Sequence, residues 1–361
     1  MPSVRSPRHR GPGALRAAVA GAAACTVLLA TACGGGSASG PGEAAAPTPA
    51  TPPMLTCDDQ GRPDMPAGAP PQPSTAAAPP PPATHEDVAY AETSPAQKLD
   101  LYLPPDASGE TPLVIAVHGG GFIAGDKDQS AAMLAGPLLD EGYAVATVNY
   151  RLSCEAEFPA GAQDVKAAVR WLRANADAYR LDPDRFLSWG ESAGGYMSAL
   201  LAITGDQETV FDDEGLGNAG VSSAVQGAVA WYGMYDFAAA DPQFAADTPE
   251  QCEGGPLEHD LADSPEGIWL GGRPSTLPDE VEQADPMTYI PTADGIPPVS
   301  IAAGDADCVV PHQQSEELHK ALTDAGHPAD LTVVEGGGHG PGVIEDQMPA
   351  ALEFTAEVFE R

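Results

Sequence analysis

The chain has 361 residues, and 52 acidic against 16 basic residues give it a formal net charge of −36. So strong a negative charge argues against nucleic acid and anionic lipid surfaces as partners, because both are bound through basic patches. Histidine, cysteine and acidic residues do not cluster at the spacings of a metal site, so we expect neither a metal nor a cofactor.

The first residues are typical of an export signal. Four arginines precede an apolar run over residues 17–30, which is short for a membrane span. The run ends in the string Ala-Thr-Ala-Cys-Gly, which resembles a bacterial lipoprotein cleavage box with Cys33 as the lipidated residue. We predict a signal peptide over residues 1–33 and a protein held by its lipid on the outer face of the cell membrane. The alternative is an ordinary secretory signal and a secreted protein.

A linker and one folded domain follow the signal. Residues 34–85 are rich in proline, alanine and glycine, cannot bury enough apolar surface to fold, and predict a disordered linker. Residues 86–361 suit a single α/β domain. Strands are expected near 87–91, 97–103, 112–117, 143–148, 185–189, 225–231, 298–303 and 330–334, and the helices include 159–179 and 312–325.

The alternation of strands and helices predicts a mostly parallel central sheet with helices on both faces. One stretch, from Tyr232 to about Pro286, has weak periodicity and many Asp, Pro and Gly residues. We expect this stretch to form a small lid-like insertion or specificity loop.

A Gly-x-Ser-x-Gly motif with Ser192 at its centre lies between a predicted strand and a predicted helix. Such a sharp reversal forces the serine into strained backbone angles, and side chains at Gly190 and Gly194 would collide with neighbouring elements. The turn exposes the Ser192 hydroxyl and places the Ala193 N–H beside it. The same letters also arise by chance where small residues pack a helix onto a strand.

A second motif, His-Gly-Gly-Gly-Phe at residues 118–122, follows the strand predicted at 112–117. Three consecutive glycines allow the backbone to turn its N–H groups into a cavity, as an oxyanion requires. A phosphate-binding loop is the alternative, but the Gly-x-Gly-x-x-Gly spacing and a Walker lysine are both absent from this motif.

Two more predicted strands end in acidic and histidine-containing strings. The first is followed by Gly-Asp-Ala-Asp-Cys, which holds Asp305 and Asp307, and the second by Glu-Gly-Gly-Gly-His, which ends at His339. Nucleophile, acid and histidine therefore occur in the order Ser, Asp, His, each beyond the carboxyl end of a strand.

In this order the motifs resemble the α/β-hydrolase fold, and more narrowly the hormone-sensitive-lipase-like esterases and the bacterial feruloyl-esterase-like branch (BD-FAE). The resemblance covers roughly residues 86–361 and departs from the family at Ala303 and Cys154. The similar strings are residues 118–122, 125–127, 142–153, 158–160, 164–175, 190–195, 263–266, 270–272 and 304–311.

The resemblance implies an exported serine carboxylesterase that hydrolyses a small-molecule ester. Ser192 would be the nucleophile and His339 the general base, with Asp307 orienting the histidine. Asp307 matches the family's string ending in Val-Val-Pro, which leaves Asp305 as the rival acid. The oxyanion would be held by the N–H groups of Gly120, Gly121 and Ala193.

Two other functions remain open from the sequence. One is an amide-cleaving hydrolase of the same fold, such as an arylformamidase or a peptidase. The other is a catalytically inactive binding module, which is disfavoured because serine, acid and histidine are all present. The acyl and alcohol specificity and the oligomeric state do not follow from the sequence.

Four cysteines remain after Cys25 leaves with the signal and Cys33 takes lipid. An even number in an exported chain favours two disulfides, for which three pairings are possible. We favour Cys252–Cys308, joining the insertion to the acid loop, and Cys57–Cys154, joining the linker to the domain. The alternatives are free thiols or a Cys308 nucleophile, which no Cys/His motif supports.

Four polar residues near the motifs have structural interpretations. We expect Glu191 to be a structural partner rather than a pH-tuning group, and His118 to brace the glycine loop. Asp236 is interpreted as a loop cap and His259 as a surface histidine, with lining of an acyl pocket as the alternative for both.

Overall fold

An eight-stranded sheet forms the centre of the described part of the chain, residues 79–105 and 109–360 of a computed structural model. Its strand order is β1-β2-β4-β3-β5-β6-β7-β8. The strands are β1 (His85–Ala89), β2 (Lys98–Tyr102), β3 (Thr111–Val117), β4 (Ala144–Val148), β5 (Leu181–Glu191), β6 (Gly227–Trp231), β7 (Val299–Gly304) and β8 (Ala329–Val334). The predicted signal peptide, Cys33 and most of the predicted linker lie outside the described residues.

Six of these strands, from β4 to β8 in the sheet order, are parallel. β1 and β2 add an antiparallel edge. The parallel strands read as apolar runs because both faces of the sheet are covered: every residue of β6 is buried. The prediction of a mostly parallel sheet is therefore confirmed, and each predicted strand has an observed counterpart within a few residues.

Helices connect the strands. They are α1 (Lys127–Ser130), α2 (Gly136–Asp140), α3 (Ala160–Ala174), α4 (Ala176–Tyr179), α5 (Ala193–Thr204), α6 (Ala240–Ala246), α7 (Pro265–Leu270), α8 (Pro278–Ala284), α9 (Gln313–Asp324) and α10 (Val343–Glu360). A π-helical turn, Ala131–Ala135, joins α1 to α2, and 3₁₀ turns lie at Glu214–Leu216, Pro274–Thr276 and Pro286–Thr292. Among the described residues, no helix is both long and apolar enough to cross a bilayer.

The side chains of β3 show why helices cover both faces of the sheet. Leu113, Ile115 and Val117 pack into one core with apolar residues of α3, α5 and α9. Val114 and Ala116 point to the opposite face and pack with α2 and α10. Alternate residues of a strand point to opposite faces, so one apolar run supplies both cores.

The single helix predicted over residues 159–179 is observed as two helices, α3 and α4, with Asn175 between them. The Asn175 side-chain amide donates to the Trp171 carbonyl at 2.8 Å, which the Asn175 backbone N–H also reaches at 3.0 Å. A local side-chain bond of this kind competes with continuation of the helix.

A buried carboxylate fixes α3 against the antiparallel edge. Asp164 is fully buried and accepts from the Arg151 Nε at 2.8 Å, the Arg151 backbone N–H at 2.9 Å and the Gln97 amide at 2.7 Å. The carboxylate therefore satisfies donors from the turn after β4 and from the loop before β2.

We predict that Asp164→Ala lowers the free energy of unfolding by about 3 kcal/mol, since it leaves a partly buried guanidinium without its anion. The matched control is Asp324→Ala, which removes an exposed carboxylate from its i,i+4 pair with Lys320 and should cost less than ~0.5 kcal/mol. Urea unfolding measures both, and equal losses would contradict the prediction.

Candidate active site

The Gly-x-Ser-x-Gly turn lies between β5 and α5 and holds Ser192 in a strained conformation. Its φ is 53° and its ψ is −124°, a region that residues other than glycine rarely adopt. The Ser192 N–H donates to the Trp231 carbonyl at 2.9 Å, and its own carbonyl accepts from Tyr196 at 3.0 Å. These bonds to β6 and α5 hold the turn in place and offset its strain.

The two glycines of the motif are required by close backbone approach. A Cβ added at Gly190 would lie 2.2 Å from the Gly194 carbonyl oxygen, and one added at Gly194 would lie 2.0 Å from the Val117 oxygen. The prediction that side chains at both positions would collide is confirmed.

The structure brings Ser192, His339 and Asp307 together in one hydrogen-bonded row. His339 Nε2 lies 3.0 Å from Ser192 Oγ, and His339 Nδ1 lies 2.7 Å from Asp307 Oδ2. The other carboxylate oxygen of Asp307 accepts from the N–H groups of Val309 at 2.7 Å and Val310 at 2.9 Å. Asp307 is 1% exposed, and these two donors fix the orientation of its carboxylate.

The rival acid, Asp305, has a different partner. Its Oδ1 accepts from the Gly336 N–H at 2.6 Å, so the carboxylate holds the loop that precedes His339. Both aspartates follow β7, but Asp307 is the one hydrogen-bonded to the histidine.

The electrostatics of His339 result from opposing effects. Burial of the ring favours the neutral imidazole. The Asp307 carboxylate and, to a smaller extent, Glu191 favour the cation. The net effect raises the pKa of His339. The Tyr232 ring packs edge-on against the imidazole with a centroid distance of 4.9 Å. The protonated form of His339 is therefore stabilised by two neighbouring acids.

The glycine loop after β3 adopts conformations that only glycine reaches readily. Gly120 has a φ of 109° and Gly121 a φ of 59°. The loop closes on itself through a bond of 3.0 Å from the Ala124 N–H to the Gly120 carbonyl. His118 supports it, because His118 Nδ1 lies 2.7 Å from the Gly119 carbonyl and its ring stacks on Tyr150.

Three backbone N–H groups are candidates for holding an anion beside Ser192. Ala193 is the first residue of α5, and the leading N–H groups of a helix have no partner within it. No main-chain bond outside the regular elements, among described residues, uses the N–H of Gly120 or Gly121. The expected roles of the three groups remain predictions.

Glu191 connects the serine turn to the glycine loop. Its Oε1 accepts from the Gly119 N–H at 2.8 Å, which makes it a structural partner of that loop. Burial raises the pKa of Glu191 to about 7, although the Gly119 N–H and the nearby His339 oppose the shift. Both interpretations of this residue are therefore compatible with its surroundings.

The Cys252–Cys308 disulfide is present, with an S–S distance of 2.04 Å. It joins the insertion to the acid loop, and a bond of 2.9 Å from the Leu257 N–H to the Cys308 carbonyl continues the contact. The preferred pairing of these two cysteines is confirmed, and the alternative of a Cys308 thiol nucleophile is wrong. The second expected pair includes Cys57, which lies outside the described residues.

Two residues considered for an acyl pocket have hydrogen-bond partners in the structure. Asp236 caps a turn by accepting from the Ala238 N–H at 2.9 Å, as interpreted from the sequence. The expectation that His259 is a surface residue is wrong: it is 1% exposed and lies 2.9 Å from a Glu266 oxygen. Glu266 ends the family-like string at residues 263–266, but no role followed from that string, so sequence reasoning missed the pair. In residues 79–105 and 109–360 no three potential metal ligands come together.

The sheet order, the strained serine between a strand and a helix, and the glycine loop beside it define the α/β-hydrolase fold. The BD-FAE family model matches residues 99–322, more than half of the chain, and the chain belongs to this family.

Relatives with known names are esterases. Esterase LipQ of Mycobacterium tuberculosis is 30% identical over 68% of this chain and 54% of LipQ. The probable carboxylic ester hydrolase LipM of the same organism is 31% identical over 53% of this chain and 48% of LipM. The chain thus spans about half the length of these two relatives.

Solved structures agree with the fold. A truncated carbohydrate esterase from gut microbiota is 31% identical, with a TM-score of 0.70, and covers 79% of this chain and 100% of its own. Esterase 2 of Thermogutta terrifontis, in its butyrate-bound form, is 22% identical, with a TM-score of 0.59. The match covers 76% of this chain and 94% of the esterase chain, and at this identity it shows the fold alone.

We predict that Glu191→Gln lowers the pKa of His339. Glutamine still accepts from the Gly119 N–H, but the variant lacks a negative charge that stabilises the imidazolium. NMR titration of the His339 ring measures the shift without any substrate. Glu345→Gln is the control, because it also removes one negative charge but is not among the groups that shift His339. A pKa that stays the same or rises in Glu191→Gln contradicts the prediction.

Proposed function

We propose that the chain is a serine carboxylesterase that works through an acyl-enzyme on Ser192. The observation that carries the proposal is the row of hydrogen bonds from Ser192 through His339 to Asp307, beside the glycine loop. Membership in the BD-FAE family and the esterase names of the relatives support it.

In the first half of the proposed reaction, Ser192 Oγ attacks the ester carbonyl. His339 Nε2, at 3.0 Å, takes the hydroxyl proton and then delivers it to the departing alcohol. Asp307 fixes the tautomer of His339, since Nδ1–H donates to its carboxylate and leaves Nε2 free to accept. In the second half, His339 activates a water that attacks the acyl-enzyme and releases the acid.

The negative charge that forms on the carbonyl oxygen is the main electrostatic demand of both halves. We propose that it is met by the N–H groups of Gly120, Gly121 and Ala193. Such donors are fixed before the reaction begins, and losing one typically costs about 100- to 1,000-fold in turnover.

For the substrate class we propose O-acyl esters of carbohydrates. Two solved proteins that are 31% identical to this chain are a carbohydrate esterase and a bifunctional GH43-CE protein from Bacteroides eggerthii. A panel of acetylated sugars, p-nitrophenyl esters, hydroxycinnamoyl esters and an arylformamide tests this class against plain esterase and amide-cleaving activity. Preference for the arylformamide would overturn it.

We further propose that the enzyme acts outside the cytoplasm. Residues 1–33 would direct export with Cys33 taking the lipid, and residues 34–85 would link the anchor to the domain. Metabolic labelling with a fatty acid, compared between the parent and Cys33→Ser, tests the anchor.

We predict that Ser192→Ala leaves the fold intact and removes turnover. The expected loss is about a million-fold, the scale found when the nucleophile of a serine protease is removed. The parent should also be inactivated by a serine-directed phosphonate that labels Ser192, as peptide mapping would detect. Hydrolysis of short acyl esters by Ser192→Ala at the parent rate would exclude this mechanism.

We predict that Asp307→Asn and Asp305→Asn differ sharply. In Asp307→Asn the neutral amide cannot stabilise the imidazolium and favours the wrong histidine tautomer, so kcat should fall on the order of 10,000-fold. In Asp305→Asn the amide oxygen still accepts from the Gly336 N–H, and kcat should stay within about threefold of the parent. Steady-state kinetics on one soluble ester compare them, and the opposite ranking would assign the acid to Asp305.

A further inference from the structure

A buried ion pair lies on the far side of the acid loop from His339. His259 is 1% exposed and Glu266 is 4% exposed, and His259 Nδ1 lies 2.9 Å from Glu266 Oε2. The second ring nitrogen, Nε2, lies 2.8 Å from the Val309 carbonyl oxygen. The mechanism proposed above assigns no task to this pair.

Both ring nitrogens of His259 face oxygen acceptors, so both carry protons and the ring is an imidazolium. Burial disfavours that cation, but the Glu266 carboxylate, Asp241 and the Val309 carbonyl together outweigh burial and raise the pKa of His259. The other groups that face the ring are Asp241, which adds to the rise and accepts from the His259 backbone N–H, and the Phe244 ring stacked on it.

One peptide group connects this cation to the active site. The Val309 carbonyl accepts from His259, and the N–H on the same peptide plane, that of Val310, donates to Asp307 Oδ1 at 2.9 Å. The other oxygen of Asp307 faces His339, which faces Ser192. The bonds form one unbroken line from Glu266 to the Ser192 hydroxyl.

We propose that His259 and Glu266 are positioning residues that extend the hydrogen-bonded Ser-His-Asp row. Acting through the Val309–Val310 peptide, their charge strengthens the hydrogen bond that Asp307 accepts. The inference rests on the proposed function of Ser192, His339 and Asp307. A cation on the carbonyl side of a peptide polarises it and makes its N–H a stronger donor to Asp307. The same positive charge acts directly on His339 and lowers its pKa, opposing Asp307 and Glu191.

The helix that carries Glu266, α7, also contacts the glycine loop. In α7, Pro265 packs against Gly121, and Trp269 stacks on Phe122 with a centroid distance of 4.2 Å. The pair therefore joins a helix that contacts the glycine loop to the loop that carries the acid. Apolar side chains in these positions could neither donate to the Val309 carbonyl nor carry charge.

Two conservative variants test the proposal. Glu266→Gln removes the anion that keeps His259 protonated, and His259→Gln keeps an amide donor for the Val309 carbonyl without the cation. Both variants remove the positive charge that opposes protonation of His339, so its pKa should rise, by about 0.5 pH unit in His259→Gln and by less in Glu266→Gln, which also removes a negative charge. NMR titration measures this pKa directly, and the acidic limb of kcat/KM should move to higher pH by the same amount with little change in KM.

The matched control is Asp212→Asn, which removes the carboxylate from its pair with the fully buried Lys166. None of the described hydrogen bonds links that pair to the acid loop or the glycine loop. It should lower stability and leave the pKa of His339 unchanged. An equal shift in the control and in Glu266→Gln would make the pair purely structural and overturn the proposal.

A second measurement keeps the test decisive if a variant does not fold. The ¹⁵N shifts of His259 in the parent at neutral pH should report protons on both nitrogens, and a neutral ring overturns the proposal. This readout needs no turnover. If the parent hydrolyses no ester, the proposed function fails while the hydrogen-bonded line is still measured.

Discussion

The close approach of Gly194 to the Val117 carbonyl sets the geometry on which the candidate site depends. Val117 ends β3 and leads into the glycine loop, whereas Gly194 is the second residue of α5, two positions after the strained serine. Val117 also pairs with Gly190 across β3 and β5. Because backbone meets backbone with no side chain between, the distance from the glycine loop to Ser192 is fixed by rigid elements. Preorganised donors of this kind require no reorganisation as charge develops.

Beside this serine turn and glycine loop, two carboxylates lie close to one histidine. Asp307 and Glu191 both stabilise the imidazolium of His339, and burial of the ring opposes them. Glu191 has a pKa of about 7, so its charge changes near neutrality. Its charge state therefore influences how readily His339 takes up a proton. The cation at His259 adds positive charge on the other side of the acid.

Site residues are predicted best from the sequence where they stand in a short motif. Ser192 and His339 stand in motifs whose neighbours are dictated by a sharp turn and a glycine-rich loop, so both could be found without coordinates. Asp307 needed a family string to separate it from Asp305, because both follow β7. The residues that sequence reasoning misplaced or missed are different. His259 bonds to Glu266, seven residues away, and to the carbonyl of Val309, fifty residues away, and neither contact follows from a sequence pattern.

The predicted helix over residues 159–179 illustrates the same limit on a smaller scale. Its apolar pattern continues through Asn175, but the backbone of Asn175 leaves the helical conformation, with φ −109° and ψ 12°, and its side-chain amide adds a second bond to the Trp171 carbonyl. Composition sets which residues favour a helix, whereas a single competing hydrogen bond decides where it stops. The cysteines behave similarly, since counting them allows three pairings and only the fold selects Cys252–Cys308.

The insertion between β6 and β7 is anchored at several points rather than at its ends alone. Its Trp269 is 1% exposed against the glycine loop, its His259 is bonded to the acid loop, and Cys252 is bonded covalently to Cys308. Opening this segment would expose a buried tryptophan, at a cost of about 3–5 kcal/mol, and would break the hydrogen bond from the buried His259 to the Val309 carbonyl. Such costs are large beside the few kcal/mol that separate the states of a working gate. We therefore expect this part of the insertion to stay in place, where its contacts hold the acid loop and the glycine loop at a fixed separation.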